Sequence, residues 1–90
     1  MKIEVNINGI FNRKFIKKSL EMKIQNNETL EKVFKKIGKS IKNDIYQVFL
    51  EQRSNPVLLL NGRRIDFPEG FSLIPNDGDE ITLLQAIGGG

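Results

Sequence analysis

From Lys2 to Asn8 apolar and polar residues alternate, with Ile3, Val5 and Ile7 on one side of the count. Successive side chains of a strand point to opposite faces, so this period of two predicts a half-buried strand. Asn8-Gly9 is a turn signal, and Ile10 to Lys18 shows no clean period. Leu20, Met22 and Ile24 resume the alternation, which predicts a second strand over about 19–25 and a hairpin with a long or irregular connection. The period then changes. Asn26-Asn27-Glu28-Thr29 offers short polar side chains that can accept from the free N–H groups of a first helical turn. Leu30, Val33, Phe34, Ile37 and Ile41 follow at helical spacing, predicting a main helix over about 28–40 with one apolar face. Lys32, Lys35, Lys36, Lys39 and Lys42 occupy the other positions and read as its solvated side.

Lys42-Asn43-Asp44 interrupts the pattern, and Ile45, Val48 and Phe49 restart it; a second short helix is expected over about 44–52. Val57-Leu58-Leu59-Leu60 is a short apolar run between Pro56 and Asn61-Gly62, and Arg63-Arg64-Ile65-Asp66 follows. Asn-Gly between two such runs signals a tight hairpin, because both turn residues must accept positive φ. Phe67-Pro68-Glu69-Gly70 and Pro75-Asn76-Asp77-Gly78-Asp79 read as loops, and Glu80 to Gln85 as a last strand with Ile81 and Leu83 on one face, Thr82 and Leu84 on the other. The order predicts an α+β roll: one mixed sheet packed on one main helix, with the two terminal strands parallel at the sheet centre.

Composition narrows the chemistry. The chain has 90 residues, enough for one domain, and contains neither cysteine nor histidine. Disulfides, thiolate metal sites and cysteine nucleophiles are excluded, and no pair of acids has a spacing that suggests general acid–base work. No catalytic residue and no metal ligand is therefore assigned, which favours a carrier or binding module over an enzyme. No stretch approaches a membrane span, and Met1-Lys2-Ile3-Glu4-Val5 is not a signal peptide, so a cytoplasmic protein without a membrane partner is expected. Residues 1–45 hold most of the cations and residues 46–90 carry a net negative charge. Single-stranded nucleic-acid binders interleave aromatics with such cations, and the lysine side of the helix has none; nucleic acid is not the expected partner.

The chain ends Ala86-Ile87-Gly88-Gly89-Gly90, directly after the last strand. Without a Cβ, glycine passes where any side chain would collide, so this ending suits a narrow enzyme channel that must reach a terminal carboxylate. The expected division is a domain over residues 1–86 and a flexible glycine tail over 87–90. The element order, Leu60-Asn61-Gly62-Arg63-Arg64, Pro75-Asn76-Asp77-Gly78-Asp79-Glu80-Ile81 and the Gly89-Gly90 end together resemble the MoaD/ThiS-type sulfur carriers, the small subunit of molybdopterin synthase and the thiamine-pathway carrier. The resemblance implies the ubiquitin-like β-grasp fold. Many molybdopterin-type carriers have a proline-containing stretch before the diglycine; here Leu84-Gln85-Ala86-Ile87 has none, and Gly88 is additional.

The resemblance further implies a function. A ubiquitin-activating-type enzyme would use ATP to adenylate the carboxylate of Gly90, and a sulfur donor would convert it to a thiocarboxylate for delivery to a sulfur-acceptor synthase subunit. ATP belongs to that enzyme, and no cofactor is expected on the chain itself. Gly88 and Gly89 would thread the partner's channel. Hairpin register from Asn61-Gly62 places Leu58 and Leu60 inward and Val57 and Leu59 outward. Val57, Leu59, Leu84 and Ile87 are thus the expected partner interface, with Leu59 and Leu84 neighbours on adjacent strands. A ubiquitin-like modifier joined to lysines through the same Gly90, and a noncovalent β-grasp binding module, are the two other readings of the same features.

Overall fold

The computed structural model describes residues 1–53 and 55–85. The expected glycine tail, with Ile87, Gly88, Gly89 and Gly90, lies outside the described residues. Five strands, β1 (Lys2–Phe11), β2 (Lys14–Lys23), β3 (Pro56–Leu60), β4 (Arg63–Ile65) and β5 (Glu80–Gln85), form one mixed sheet in the order β2-β1-β5-β3-β4. β1 and β5 pair in parallel and the remaining neighbours antiparallel. Helix α1 (Leu30–Ile41) and the short α2 (Ile45–Leu50) cover one face, and a 3-10 turn over Glu69–Ser72 closes the core beside α1.

The main helix begins where its sequence says. Thr29 is the N-cap, and its hydroxyl accepts from the Lys32 N–H at 3.4 Å. Leu30, Val33, Phe34 and Ile37 are all buried. Phe34 lies at the centre of the core: its ring meets Phe49 edge-on at 5.0 Å and Phe71 at 5.3 Å. Each such ring removed from water stabilises the fold by about 2–3 kcal/mol before the edge-to-face contacts are added. On the opposite side of α1, Lys35 pairs with Glu31 four residues back, as on a solvated helix face, and Lys36 reaches the buried Glu28 just before the helix.

The first hairpin departs from expectation. Asn8-Gly9 is not a turn. β1 continues to Phe11, the turn is Asn12-Arg13, and β2 starts at Lys14 instead of about 19. Gly9 has another purpose: a Cβ there would lie 2.9 Å from Gln85 Cβ, closer than side chains pack, so β5 can run beside β1 only because Gly9 is bare. Asn12 and Arg13 both adopt positive φ, 52° and 66°, which gives a tight two-residue hairpin without glycine. The turn is fastened to the α1–α2 junction: Asn12 Nδ2 donates to Asn43 Oδ1 at 2.7 Å, and the buried Asn43 donates to the Phe11 carbonyl at 3.0 Å. Phe67 and Phe71, in segments expected to be plain loop, pack against the aromatic core.

Candidate functional site

The side of the sheet away from the helices is the candidate site, and strand register lays it out. The inward set is Ile3, Val5 and Ile7 on β1, Leu58 on β3, and Ile81 and Leu83 on β5, all essentially inaccessible. Their alternates face outward. Across the outer face, Leu84 is paired with Asn8 on one side and Val57 on the other, and Thr82 is paired with Asn6 and Leu59. Leu59 is in turn paired with Arg64 at the sheet edge. Val57, Leu59 and Leu84 are half-buried. The expected inward and outward assignments of 57–60 and 81–84 therefore hold, with one refinement: Leu84 faces Val57 directly and Leu59 only diagonally. A shallow depression bounded by Asn8, Lys17, Ser19, Thr82 and Leu84 lies beside these residues.

Both ends of β5 are fixed. At its start, Asn61 N–H donates to the Glu80 carbonyl at 2.8 Å, Asn61 Oδ1 accepts from Glu80 N–H at 2.8 Å, and Asn61 Nδ2 donates to Asp79 Oδ1 at 2.9 Å. The same loop grips β1, since Asp77 Oδ1 accepts from Lys2 N–H at 2.8 Å. Asn61 and Gly62 have φ of 52° and 83°, so the asparagine serves both as a turn residue and as the bolt between the two sequence motifs. A slip of one residue would exchange every face of β5; this clasp opposes it. At its end, Gln85 Oε1 accepts from Ile10 N–H at 3.0 Å. β5 ends there, held beside β1.

Two outer-face residues escape sequence reasoning, Ile10 and Phe15. They are cross-strand partners at the β1–β2 tip and are 51% and 64% exposed. The signal was present: Ile10 and Phe15 share parity with the polar outer residues of their strands, but reading Gly9 as a turn hid it. Among the described residues no cluster of acids assembles into a metal site, and no helix is long and apolar enough to cross a membrane.

Compared with family models, the chain matches the ThiS family over residues 5–90. It belongs to the ThiS family. None of the curated proteins compared with it matches. Among solved structures, SAMP1 from Haloferax volcanii superposes with a TM-score of 0.70 at 14% identity, covering 100% of both chains. A Caldiarchaeum subterraneum ubiquitin superposes at 0.57 with 21% identity, covering 100% of this chain and 98% of that one. A protein–protein complex of subunits 1 and 2 of molybdopterin-converting factor from Helicobacter pylori contains a chain matching at 0.58 with 22% identity and 100% coverage of both. This ThiS-family chain therefore has the ubiquitin-like β-grasp fold that the resemblance implies, and is a small protein of sulfur-carrier or ubiquitin-like kind.

Proposed function

We propose that the chain carries sulfur on the carboxylate of Gly90. The observation that carries this reading is the family match, which runs through the terminal glycines to residue 90. A carboxylate resists nucleophiles because of its charge and because oxide does not leave. In the proposed sequence, a carboxylate oxygen of Gly90 attacks the α-phosphorus of ATP on a partner adenylating enzyme, and pyrophosphate departs. A sulfide-donating nucleophile then attacks the acyl carbon of the adenylate, and AMP leaves with the C–O bond electrons. The product is a thiocarboxylate. With neither cysteine nor histidine, the chain brings no catalytic group of its own to these steps, so it acts as substrate and handle. Gly88 and Gly89 thread the channel, and Val57, Leu59, Leu84 and Ile87 form the docking surface. The clasp at Asn61 and the Gln85–Ile10 bond would hold β5 in register as the tail is drawn into the channel. The Helicobacter pylori neighbour, solved as a two-subunit complex, supports a synthase subunit as the acceptor of the sulfur.

A second reading has specific support. SAMP1 and an archaeal ubiquitin are among the structural neighbours, which fits conjugation of the same activated Gly90 to lysine amines. One experiment separates the two. The chain is incubated with ATP and the ubiquitin-activating-type enzyme encoded in the same genome, then with sulfide. Pyrophosphate release followed by replacement of one oxygen by sulfur, read by intact mass, supports the carrier. Lysine peptides linked to Gly90 in cells support the modifier. Deleting Gly89-Gly90 abolishes both outcomes and leaves the melting temperature unchanged. An intact chain that releases no pyrophosphate refutes both.

A further inference from the structure

The β1–β2 hairpin carries a surface that the tail chemistry does not explain. Phe15 and Ile10 lie side by side on the outer face, and Phe15 is the most exposed large apolar residue of the described chain. No acid occurs between Glu4 and Glu21, whereas Arg13, Lys14, Lys17 and Lys18 all fall in that interval; Lys17, paired with Asn8, lies on the outer face and Arg13 in the turn, while Lys14 and Lys18, paired with the buried Phe11 and Ile7, lie on the helix side. None of the four makes an ion pair among the described residues. Arg13 also occupies a left-handed position, φ 66°, where a side chain is strained and glycine would be easier. A cleft of about 260 Å³ beside the tip is floored by Ile10 and Val48 and flanked by Arg13 and Arg53. The far end of the same outer face mixes signs: Glu4 is paired across the ladder with both Glu21 and Glu80, beside the Lys2–Lys23 pair, and Lys2 is ion-paired with Glu21.

We propose that this hairpin tip is a second docking arm, which seats on an apolar groove rimmed by carboxylates on the adenylating enzyme that receives the tail. The inference rests on the reading in the preceding subsection and extends the interface beyond Val57, Leu59 and Leu84. Two observations select that occupant. The first is continuity: Ile10 bonds to Gln85, the last described residue before the tail, so whatever grips the tail meets the tip. The second is charge: beside the tip the outer face carries Lys17, with Arg13 in the turn and no acid on either strand between Glu4 and Glu21, so a groove rimmed by carboxylates complements it. Single-stranded nucleic acid fits less well. It needs a run of stacking platforms, and here one phenylalanine stands beside an aliphatic residue and leads into leucines and a valine.

The test measures steady-state pyrophosphate release by the same enzyme, with the intact chain as varied substrate. Phe15→Ser and the double variant Arg13→Glu/Lys17→Glu should each raise KM for the chain about tenfold, with kcat nearly unchanged. Added salt should raise the wild-type KM and leave that of the double variant nearly flat. Lys39→Glu, on α1 away from this face, should leave KM as it is. All positions are exposed, and thermal melts check that the variants fold. A KM unchanged in Phe15→Ser and the double variant overturns the proposal while the sulfur-carrier reading stands. So does an equal rise in Lys39→Glu. If an oligouridine 15-mer binds the wild type, displaces the enzyme and loses affinity in Phe15→Ser, the arm serves nucleic acid and the proposal is wrong. If the wild type itself is not adenylated, the functional reading falls and this inference falls with it.

Discussion

The two faces of the sheet are made from the same strands and differ in almost every physical respect. Inward, Leu58, Ile81 and Leu83 are inaccessible and touch an aromatic cluster of Phe34, Phe49 and Phe71. Outward, one residue along each strand, Val57, Leu59, Thr82 and Leu84 keep part of their surface in water. Stability resides on the first face. The second is free to be apolar where a partner needs it and charged where orientation must be set. The proposed function would use this separation, since an outer face can be shaped by recognition without cost to folding.

The sharpest way to break that comparison is to place one charge on each face of β5 at adjacent positions. Leu83→Asp buries a carboxylate without a partner, costing several kcal/mol. In a domain this small that is comparable to the whole folding free energy, roughly 5 kcal/mol at the low end. The variant should be unfolded by circular dichroism at 25 °C. Leu84→Asp should fold with a melting temperature within a few degrees of wild type, and should weaken binding to the adenylating enzyme about tenfold. If both variants fold, or neither does, the two faces are not distinct.

Within the core, Phe34→Ala should cost about 3–5 kcal/mol, as a cavity opens among three aromatic neighbours that cannot collapse into it. Urea titration measures this directly; a loss below about 1 kcal/mol would mean that Phe34 does not hold the helix to its cluster.

How much of this was legible in the sequence depended on whether the cause was local. The face of α1 was readable because helical spacing repeats within one segment. The face of β3 was readable because Asn61-Gly62 pins its register, and that of β5 because Glu80-Ile81-Thr82-Leu83 alternates. The first hairpin was not, because the reason for Gly9 is Gln85, far along the chain. A glycine bare for tertiary packing looks the same in sequence as one placed for a turn. The true turn, Asn12-Arg13, is held by Asn43 from the helical region and has no local glycine signal. Phe67 and Phe71 misled for a related reason: a segment without period can still donate rings to a core. Reading Asn8-Gly9 as a turn also concealed Ile10 and Phe15, so the error in fold became an omission in the site.

The smallest predicted effect sits on neither face, in the turn that leads into α1. Glu28 is buried, and its Oε1 accepts from Lys36 Nζ at 2.6 Å and from Gln25 N–H at 3.0 Å. The Lys36 hydrogen bond first, and the Gln25 N–H second, hold the carboxyl below its ordinary range, against the opposing effect of burial. A lowered folded-state value means that the unfolded chain takes up the proton first as pH falls. The ionised carboxylate therefore adds its full stability above the ordinary glutamate range, and that stability is lost as pH drops through the folded value. Lys36 is 44% exposed, so solvent screens the pair and the contribution at pH 7 should be about 1 kcal/mol. Glu28→Gln keeps an acceptor for Gln25 and removes the charge. Its urea midpoint should be lower than wild type at pH 7, and the gap should close as pH falls below the ordinary glutamate range. A gap that persists in acid would mean that the residue acts through shape alone, and that the Lys36 bond contributes nothing measurable to folding.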